Sequence, residues 1–284
     1  MESSTVNTFV VQQNRFSEDE LQKLTTAISK AGKTFRWLTN QDFDLPSARS
    51  KGGNLLDAYS TFAFLSVDKF LKYWNNRNYQ SSYGNYFNYS FFNRAIMHNF
   101  LKSRHIACVN DDGAVTTSTE LIKDWHNNDL MVFTTTPTKT AFVGGQRMSS
   151  QLIKYILTPG ELQQSDFFVA SYKPVINEAR FIVINDKLVT QSMYRYNGKF
   201  ITEDDNVVNY AVPPQAMFLA KTIVGTILKE KFQSSHQTEF SHISTYVLDL
   251  AQLEGENSWR FLEVNALPCS ALYGCDYSKV IELL

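Results

Sequence analysis

The sequence has few of the residues that build disulfide frameworks or zinc sites. Its 284 residues include three cysteines, Cys108, Cys269 and Cys275, and no two of them form a C-x-x-C pair. The five histidines are scattered without the spacing of zinc ligands. Because the cysteines are so few and so unevenly placed, we expect a reduced, cytoplasmic protein without a disulfide framework or a zinc site.

Long apolar runs and an excess of one charge are also missing. The chain has no run of about 18 apolar residues, and its first residues lack the basic and apolar regions of a signal peptide. With 27 basic and 28 acidic residues, the formal net charge of -1 gives no bulk field that attracts nucleic acid or an anionic membrane. We therefore expect no secretion and no membrane or nucleic-acid partner.

The common local signatures of nucleotide and hydrolase sites are absent as well. No G-x-G-x-x-G follows a predicted strand, and neither G-x-x-x-x-G-K-[ST] nor G-x-S-x-G occurs. The chemistry of this protein must therefore use residues that are spread over a longer stretch of chain.

The chain begins with a pattern typical of an α/β fold. An apolar run at 9–11 precedes Ser17 and Glu20, which have the spacing of a capping box that opens a helix. Gly32 follows the apolar positions of that helix, and residues 34–38 have the composition of a strand. The pattern predicts strand, helix, strand.

A stretch rich in Asn, Ser and Tyr covers residues 73–92. Interleaved aromatic residues can stack on nucleic-acid bases, but this stretch has one Arg and no Lys, so we interpret it as a surface loop. A helix is predicted over 92–101, and turn residues at 109–115 suggest a domain boundary. We expect one domain over 1–114 and a second over 115–284.

Strand patterns dominate the second half of the chain. Helical patterns interrupt them at 149–157 and at 213–231, where Pro213 and Pro214 suit a helix start. The predicted strands are 130–134, 167–170, 179–184, 188–194, 245–250 and 260–264. This arrangement predicts an α+β domain.

Polar residues stand within the last two of these apolar strands. Glu263 and Asn265 are two residues apart, so they share one face of a strand while Leu262 and Val264 point into the core. The preceding strand carries Asp249, and turn-forming residues separate the two strands. In a hairpin centred near residue 256, positions 249 and 263 are directly opposite, so all three polar side chains share one face.

Two interpretations of this polar patch stand side by side. Carboxylates packed together are difficult to ionise unless a cation compensates them, and three oxygen ligands suit Mg2+. In the other interpretation, Asp249 and Glu263 are exposed strand residues that pair with basic neighbours.

Two upstream segments favour the metal interpretation. Glu178 and Arg180 lie two residues apart on a predicted strand, which the turn Asn185–Asp186 joins to a second strand. The segment FTTTPTKTAFVGG, at 133–145, reads as a strand, a hydroxyl-rich turn, Lys139 and a strand closed by glycines. Small residues let the backbone approach phosphate, and Lys and Arg supply the opposing charge.

The order of these motifs resembles the ATP-grasp superfamily. K-x-x-F-x-G comes first, then E-x-R leading a β-hairpin, then a strand with Asp, then E-x-N. More narrowly, the chain resembles the divergent ATP-grasp clade named for one arginine and two lysines, which includes a eukaryotic assembly factor for a translation initiation complex. The resemblance covers 115–284 and implies a two-lobed ATP-grasp domain there, preceded by a Rossmann-like pre-ATP-grasp domain.

The resemblance also assigns residues to ATP and Mg2+. The Mg2+ ligands that it implies are Asp249, Glu263 and Asn265. One of them, Glu263, would bridge two ions. Lys139 and Arg180 would contact phosphates as the catalytic cations, and Glu178 would support the nucleotide or orient Arg180. The hinge between the lobes, against adenine, would consist of Ala170, Ser171, Tyr172 and Lys173.

The implied activity is that of an ATP-dependent ligase. Such an enzyme phosphorylates a carboxylate to an acylphosphate, which an amine then attacks, and a protein or peptide is a suitable acceptor. One departure from the family pattern is a threonine, Thr135 or Thr136, where a phosphate-loop lysine is usual. This loss favours the alternative of an ATP-binding assembly factor or chaperone with little or no catalysis, whereas the D…E-x-N set favours the ligase. Cys269 is either a nucleophile or a buried thiol.

Overall fold

A computed structural model gives the architecture of the chain. It describes residues 6–12, 15–38, 61–65, 108–109, 115–116, 131–135, 145–148, 168–171, 174–201, 211–233 and 244–284. Between 108 and 171 only backbone positions are described.

Within residues 6–65, the described elements are three parallel strands and one helix. In chain order they are β1 (Thr8–Gln12), α1 (Glu18–Lys30), β2 (Thr34–Leu38) and β3 (Thr61–Phe64). The strand order is β2-β1-β3. The Ser17 side chain accepts a hydrogen bond from the Glu20 amide, and the Glu20 carboxylate accepts one from the Ser17 amide. The predicted strand, capped helix and strand are therefore confirmed.

Five short strands are described in the middle of the chain. They are β4 (Cys108–Val109), β5 (Val115–Thr116), β6 (Met131–Thr135), β7 (Gly145–Met148) and β8 (Phe168–Ser171). The first two pair with each other, and the other three form an antiparallel sheet in the order β7-β6-β8. The strands predicted at 130–134 and 167–170 are thus confirmed within one residue at each end.

A five-stranded sheet follows. Its strands are β9 (Val175–Ile184), β10 (Lys187–Tyr196), β11 (Lys199–Phe200), β12 (Tyr246–Leu253) and β13 (Trp259–Asn265). They lie in the order β11-β10-β9-β12-β13, and the β9–β10 and β12–β13 pairs are antiparallel. Asn185 and Asp186, which were predicted to form the first turn, both have positive φ angles, as a tight hairpin turn requires.

The remaining elements of the described residues are helical. They are α2 (Pro214–Gln233), a 3-10 turn (Leu267–Cys269) and α3 (Tyr277–Leu283). Helix α2 begins at Pro214, as predicted. None of the helices in the described part of the chain combines the length and the apolarity needed to cross a membrane.

One hydrophobic core joins the N-terminal sheet to the C-terminal residues. Phe9, Phe62 and Phe64 are fully buried, and they pack in one cluster with residues of β9, β12 and α3. Burying side chains of this size stabilises the fold by about 1.5–3 kcal/mol each. The amide of Val6 also donates a hydrogen bond to the carbonyl of Leu284. The strands that carry the polar patch therefore rest on a core that the N-terminal sheet helps to build.

The chain divides into two compact units. One unit comprises Met1–Phe87, Ile176–Gln252 and Glu256–Leu284, and the other comprises Asn88–Val175 and Leu253–Gly255. The expected domains 1–114 and 115–284, the hinge near 170–173 and the Rossmann-like identity of the N-terminal sheet stay predictions. The helices predicted at 92–101 and 149–157 and the loop predicted at 73–92 lie outside the described residues.

Candidate functional site

Strands β12 and β13 form the predicted hairpin. Asp249 lies directly opposite Glu263 in the strand register. Asn265 joins the two carboxylates, because its Nδ2 donates hydrogen bonds to Asp249 Oδ2 at 2.9 Å and to Glu263 Oε1 at 2.8 Å. Both the register and the shared face of the three side chains are confirmed.

A β-bulge lies beside this pair. The pairing steps from Asp249–Glu263 to Leu250–Phe261, so Leu262 has no partner across the hairpin. Val264 is buried, as predicted, whereas Leu262 is only partly buried. The extra residue interrupts the regular alternation of faces, which is why the expectation for Leu262 is met only in part.

Arg180 on β9 is held by Asp249. Its Nε donates to Asp249 Oδ1 at 2.8 Å and its Nη2 donates to Asp249 Oδ2 at 2.7 Å. Its Nη1 donates to the carbonyl of Ala271 at 2.6 Å. Asp249 is 0% exposed and Arg180 is 6% exposed, so this is a buried bidentate ion pair. The structure thus joins the cation predicted to contact phosphate to a carboxylate predicted to ligate Mg2+.

Burial and charge have opposite effects on Arg180. Desolvation lowers the pKa of the guanidinium, but the charge of Asp249 and its hydrogen bonds outweigh that effect, so the pKa is raised. Arg180 is therefore a permanent positive charge at the edge of the polar patch.

Glu178 shares the face of β9 that carries Arg180. Nε of Arg195 lies 3.3 Å from Oε2 of Glu178, and the Tyr194 hydroxyl donates a hydrogen bond to the same carboxylate. Desolvation raises the pKa of Glu178, and Arg195 opposes that shift. The Glu178 carboxylate thus contacts two residues of β10. The predicted role of Glu178 at the nucleotide stays a prediction.

A second β-bulge lies opposite Glu178. Ala179 pairs with Met193, whereas Glu178 pairs with Arg195, so Tyr194 is the extra residue of β10. Bulges often redirect a side chain beside a functional site. Because of this bulge, Arg195 lies opposite Glu178, and both Tyr194 and Arg195 contact the Glu178 carboxylate.

Two tyrosines complete the surroundings of Arg180. The Tyr194 and Tyr273 rings stack with centroids 4.6 Å apart and planes inclined by 6°. The guanidinium carbon of Arg180 lies 4.8 Å from the Tyr273 centroid and 5.3 Å from the Tyr194 centroid, within the range of cation–π attraction. The sequence assigned no role to either tyrosine or to Ala271. The one available signal was a tyrosine placed before a glycine, soon after E-x-N.

Five further residues were predicted to contact the nucleotide. Lys139, Tyr172 and Lys173 are outside the described residues. Ala170 and Ser171 are the last two residues of β8, in the other compact unit, where they pair with β6. Their predicted roles at phosphate and adenine stay predictions.

Cys269 lies in the 3-10 turn that follows β13. Its thiol is partly buried and lies 3.5 Å from the carbonyl of Ala266. The Cys269 carbonyl accepts a hydrogen bond from Nη2 of Arg15 at 2.6 Å. These contacts anchor the turn to the N-terminal part of the chain.

The donor chemistry of the polar patch is oxygen-based. Across the described ranges, no group of three or more His, Cys, Asp or Glu side chains is arranged to hold a metal ion. The patch instead offers two carboxylates and one carboxamide. Such a set suits a hard cation that completes its shell with water and phosphate, as Mg2+ does.

Comparison with known proteins identifies the fold. No family model and no curated protein matches the chain. Among solved structures, a RimK domain ATP-grasp protein from Sphaerobacter thermophilus DSM 20745 is similar with a TM-score of 0.53 and 11% identity, over 97% of this chain and 98% of that chain. The D-alanine–D-alanine ligase of Bacillus anthracis gives 0.50 and 12%, over 98% and 96%. The ATP-grasp ligase PsnB, complexed with minimal precursor, gives 0.50 and 10%, over 95% and 92%.

These similarities extend over nearly the whole length of each chain. The protein therefore has the ATP-grasp fold, as the order of its motifs predicted, and two of these three similar structures are ligases. The narrower resemblance, to the clade named for one arginine and two lysines, stays a prediction.

Proposed function

We propose that this protein is an ATP- and magnesium-dependent carboxylate–amine ligase that acts through an acylphosphate. The observation that carries the proposal is the cluster of one cation, two carboxylates and a carboxamide on three adjacent strands of an ATP-grasp fold. Its members are Arg180, Asp249, Glu263 and Asn265. A buried ion pair often gives no more net stability than apolar residues of the same volume. We therefore attribute this cluster to the binding of phosphate and Mg2+.

Asp249, Glu263 and Asn265 would hold Mg2+. When bound, the ion would hold phosphate oxygens and neutralise their charge during phosphoryl transfer. Both oxygens of Asp249 accept hydrogen bonds from Arg180 in the structure. We propose that Arg180 exchanges Asp249 for another anion when Asp249 becomes a metal ligand, and the phosphate of ATP is the anion that we assign.

The other predicted site residues would contact the phosphates and the nucleotide. Arg180 and Lys139 would contact the transferring phosphate, where one preorganised donor is worth about 3 kcal/mol of transition-state stabilisation. Glu178 would support the nucleotide through its contacts on β10. Adenine would lie against the hinge, which consists of Ala170, Ser171, Tyr172 and Lys173.

We propose a carboxylate substrate and an amine or protein acceptor. PsnB is an ATP-grasp ligase complexed with a minimal precursor. Its similarity in fold supports extending the acceptor class of this chain to a peptide or protein.

A second candidate function is an ATP-binding assembly factor or chaperone with little or no catalysis. The observation in its favour is the threonine at 135 or 136, where the family pattern has a phosphate-loop lysine. Hydroxyls and loop amides can bind phosphate without a cation, which preserves nucleotide binding more readily than transition-state stabilisation.

ATP and Mg2+ together should stabilise the protein against thermal unfolding. A ligand that binds only the folded state stabilises it by about 2.7 kcal/mol at a hundredfold excess over its dissociation constant. Melting should be followed with ATP plus Mg2+, with ATP plus a chelator, and with Mg2+ alone. We expect the first mixture to give much the largest shift. Equal shifts with and without metal would remove the metal assignment.

ADP release should separate the ligase from the assembly factor. With pooled carboxylate and amine candidates, Lys139→Ala should reduce the rate of ADP release by about 100-fold, since a phosphate-contacting cation is lost. Thr135→Lys should raise the rate by restoring the usual lysine. The exposed Lys199→Ala is the matched control and should change nothing. ATP binding by the wild type without ADP release in any mixture would instead support the assembly factor.

A further inference from the structure

Tyr273 has a backbone conformation that a tyrosine disfavours. Its φ is 49°, in the left-handed region. Three further non-glycine residues have positive φ in the described ranges, and all are Asn or Asp, which tolerate that region: Asn185, Asp186 and Asn197. A glycine would adopt the backbone of Tyr273 with less strain. An aromatic residue in this strained conformation points to a function for its ring.

The left-handed turn brings the Tyr273 ring to Arg180. The ring stacks on Tyr194, and its centroid lies 4.8 Å from the guanidinium carbon of Arg180. Tyr273 is partly exposed, whereas Tyr194 is buried. Tyr273 therefore forms the outer layer of the aromatic stack beside the buried cation.

The same loop contacts Arg180 a second time. The carbonyl of Ala271, two residues before Tyr273, accepts a hydrogen bond from Nη1 at 2.6 Å. Asp249 on β12 accepts from Nε and Nη2. The guanidinium is thus held by a carboxylate from a strand and by a carbonyl and a ring from one loop.

We propose that Tyr273 is a positioning residue for Arg180. The ring limits movement of the guanidinium away from the Ala271 carbonyl, and it requires no negative charge to do so. When Arg180 leaves Asp249 for phosphate, the carbonyl and the ring remain to keep it at the site. That last consequence rests on the proposed function, whereas the positioning of Arg180 by Tyr273 does not.

Hydrogen exchange of the Arg180 Nε–H tests the positioning directly. This proton is hydrogen-bonded to Asp249 Oδ1, and its NMR signal can be assigned because Arg180→Lys removes it. In Tyr273→Gly, which relaxes the backbone but deletes the ring, exchange should be about tenfold faster, as expected for the loss of a desolvated cation–π contact. Tyr273→Phe keeps the ring and should stay within about twofold of the wild type.

Two further variants test whether faster exchange has a cause other than loss of the ring. Asn197→Gly makes the same backbone change at an exposed turn and should leave the exchange of the Arg180 proton unchanged. Tyr273→Asn replaces the ring with a residue that tolerates positive φ and should behave as Tyr273→Gly does, which covers the case in which the glycine variant fails to fold. Unchanged exchange in a folded ring-deleted variant overturns the proposal. So does a Phe variant that exchanges as fast as the ring-deleted ones.

Binding of Mg-ATP, measured by titration, tests the consequence separately. The dissociation constant should rise about tenfold in the ring-deleted variants and stay unchanged in Tyr273→Phe. A wild type that binds no Mg-ATP defeats the proposed function, while the exchange rates still decide the positioning. If the wild type and the ring-deleted variants bind Mg-ATP equally, Tyr273 does not position Arg180 for phosphate.

Discussion

Replacing Asp249 by Asn is expected to lower the free energy of unfolding by about 3–5 kcal/mol, the usual cost of removing one partner of a buried ion pair. Arg180 is 6% exposed, and two of its nitrogens donate to the Asp249 carboxylate. The amide preserves the shape of the side chain but removes the countercharge and one of the two acceptors. Urea unfolding should show the loss as a lower midpoint with an unchanged slope.

Two control variants isolate the buried pair as the cause. Asp19→Asn makes the same chemical change in a half-exposed pair with Lys23, at 2.9 Å, and should cost less than about 1 kcal/mol. Replacing both partners, Arg180→Met with Asp249→Leu, should recover most of the loss because neither charge of the pair is left buried without its partner. A wild-type midpoint for Asp249→Asn would show that the pair contributes little to folding.

Glu263→Gln should differ from Asp249→Asn, because we expect it to preserve stability and to abolish most of the ADP release. We expect metal-dependent ADP release to fall by about 100-fold or more, because the variant removes a charge that compensates the metal and the phosphates. The glutamine can still accept the hydrogen bond from Asn265 Nδ2, and the position is only partly buried. The free energy of unfolding should therefore change by less than about 1 kcal/mol. Rates of ADP release against Mg2+ concentration and urea midpoints provide both measurements.

The matched control for Glu263→Gln lies on the same hairpin. Glu254→Gln makes the identical change at an exposed turn residue and should alter neither ADP release nor stability. If Glu263→Gln unfolds the protein while nucleotide affinity per folded molecule is unchanged, Glu263 is a structural residue. The assignment of Mg2+ to the patch then loses its central ligand.

The sequence predicted that Asp249 faces Glu263 from a hairpin centre near 256, and the structure pairs these two residues. The pairs next to the turn, from Gln252–Trp259 to Leu250–Phe261, are centred between 255 and 256, so the bulge at Leu262 is what brings Asp249 opposite Glu263. The shared face of Glu263 and Asn265 could be predicted from the sequence, because it follows from the local period of two. The capped first helix could be predicted for a similar reason, since its signals lie within a few residues of one another.

The partner of Arg180 could not be predicted from local rules. It depends on β9 lying beside β12, and the two strands are separated in sequence by β10, β11 and α2. The bulges at Tyr194 and Leu262 escape prediction as well. Each adds one residue to a strand whose alternation looks regular in the sequence, and packing between strands decides where that residue fits.

Tyr273 shows the same limit in a single residue. Tyrosine beside Gly274 suggests a turn in which the glycine takes the left-handed conformation. The structure gives the positive φ to the tyrosine instead. In that conformation the ring contacts Arg180 and Tyr194, which are distant in sequence, and local rules do not include such contacts.

The core that joins the N-terminal sheet to the C-terminal residues has a consequence for how the protein is made. Arg15 donates hydrogen bonds to Leu65 and, across 254 residues of sequence, to Cys269. At about 5–20 residues per second, a ribosome needs on the order of 10–50 s to synthesise that interval. During this time the apolar side chains of β1 and β3 lack the partners that cover them in the folded protein. The nascent chain should therefore depend on chaperones that shield apolar surface, and its yield should fall when they are depleted.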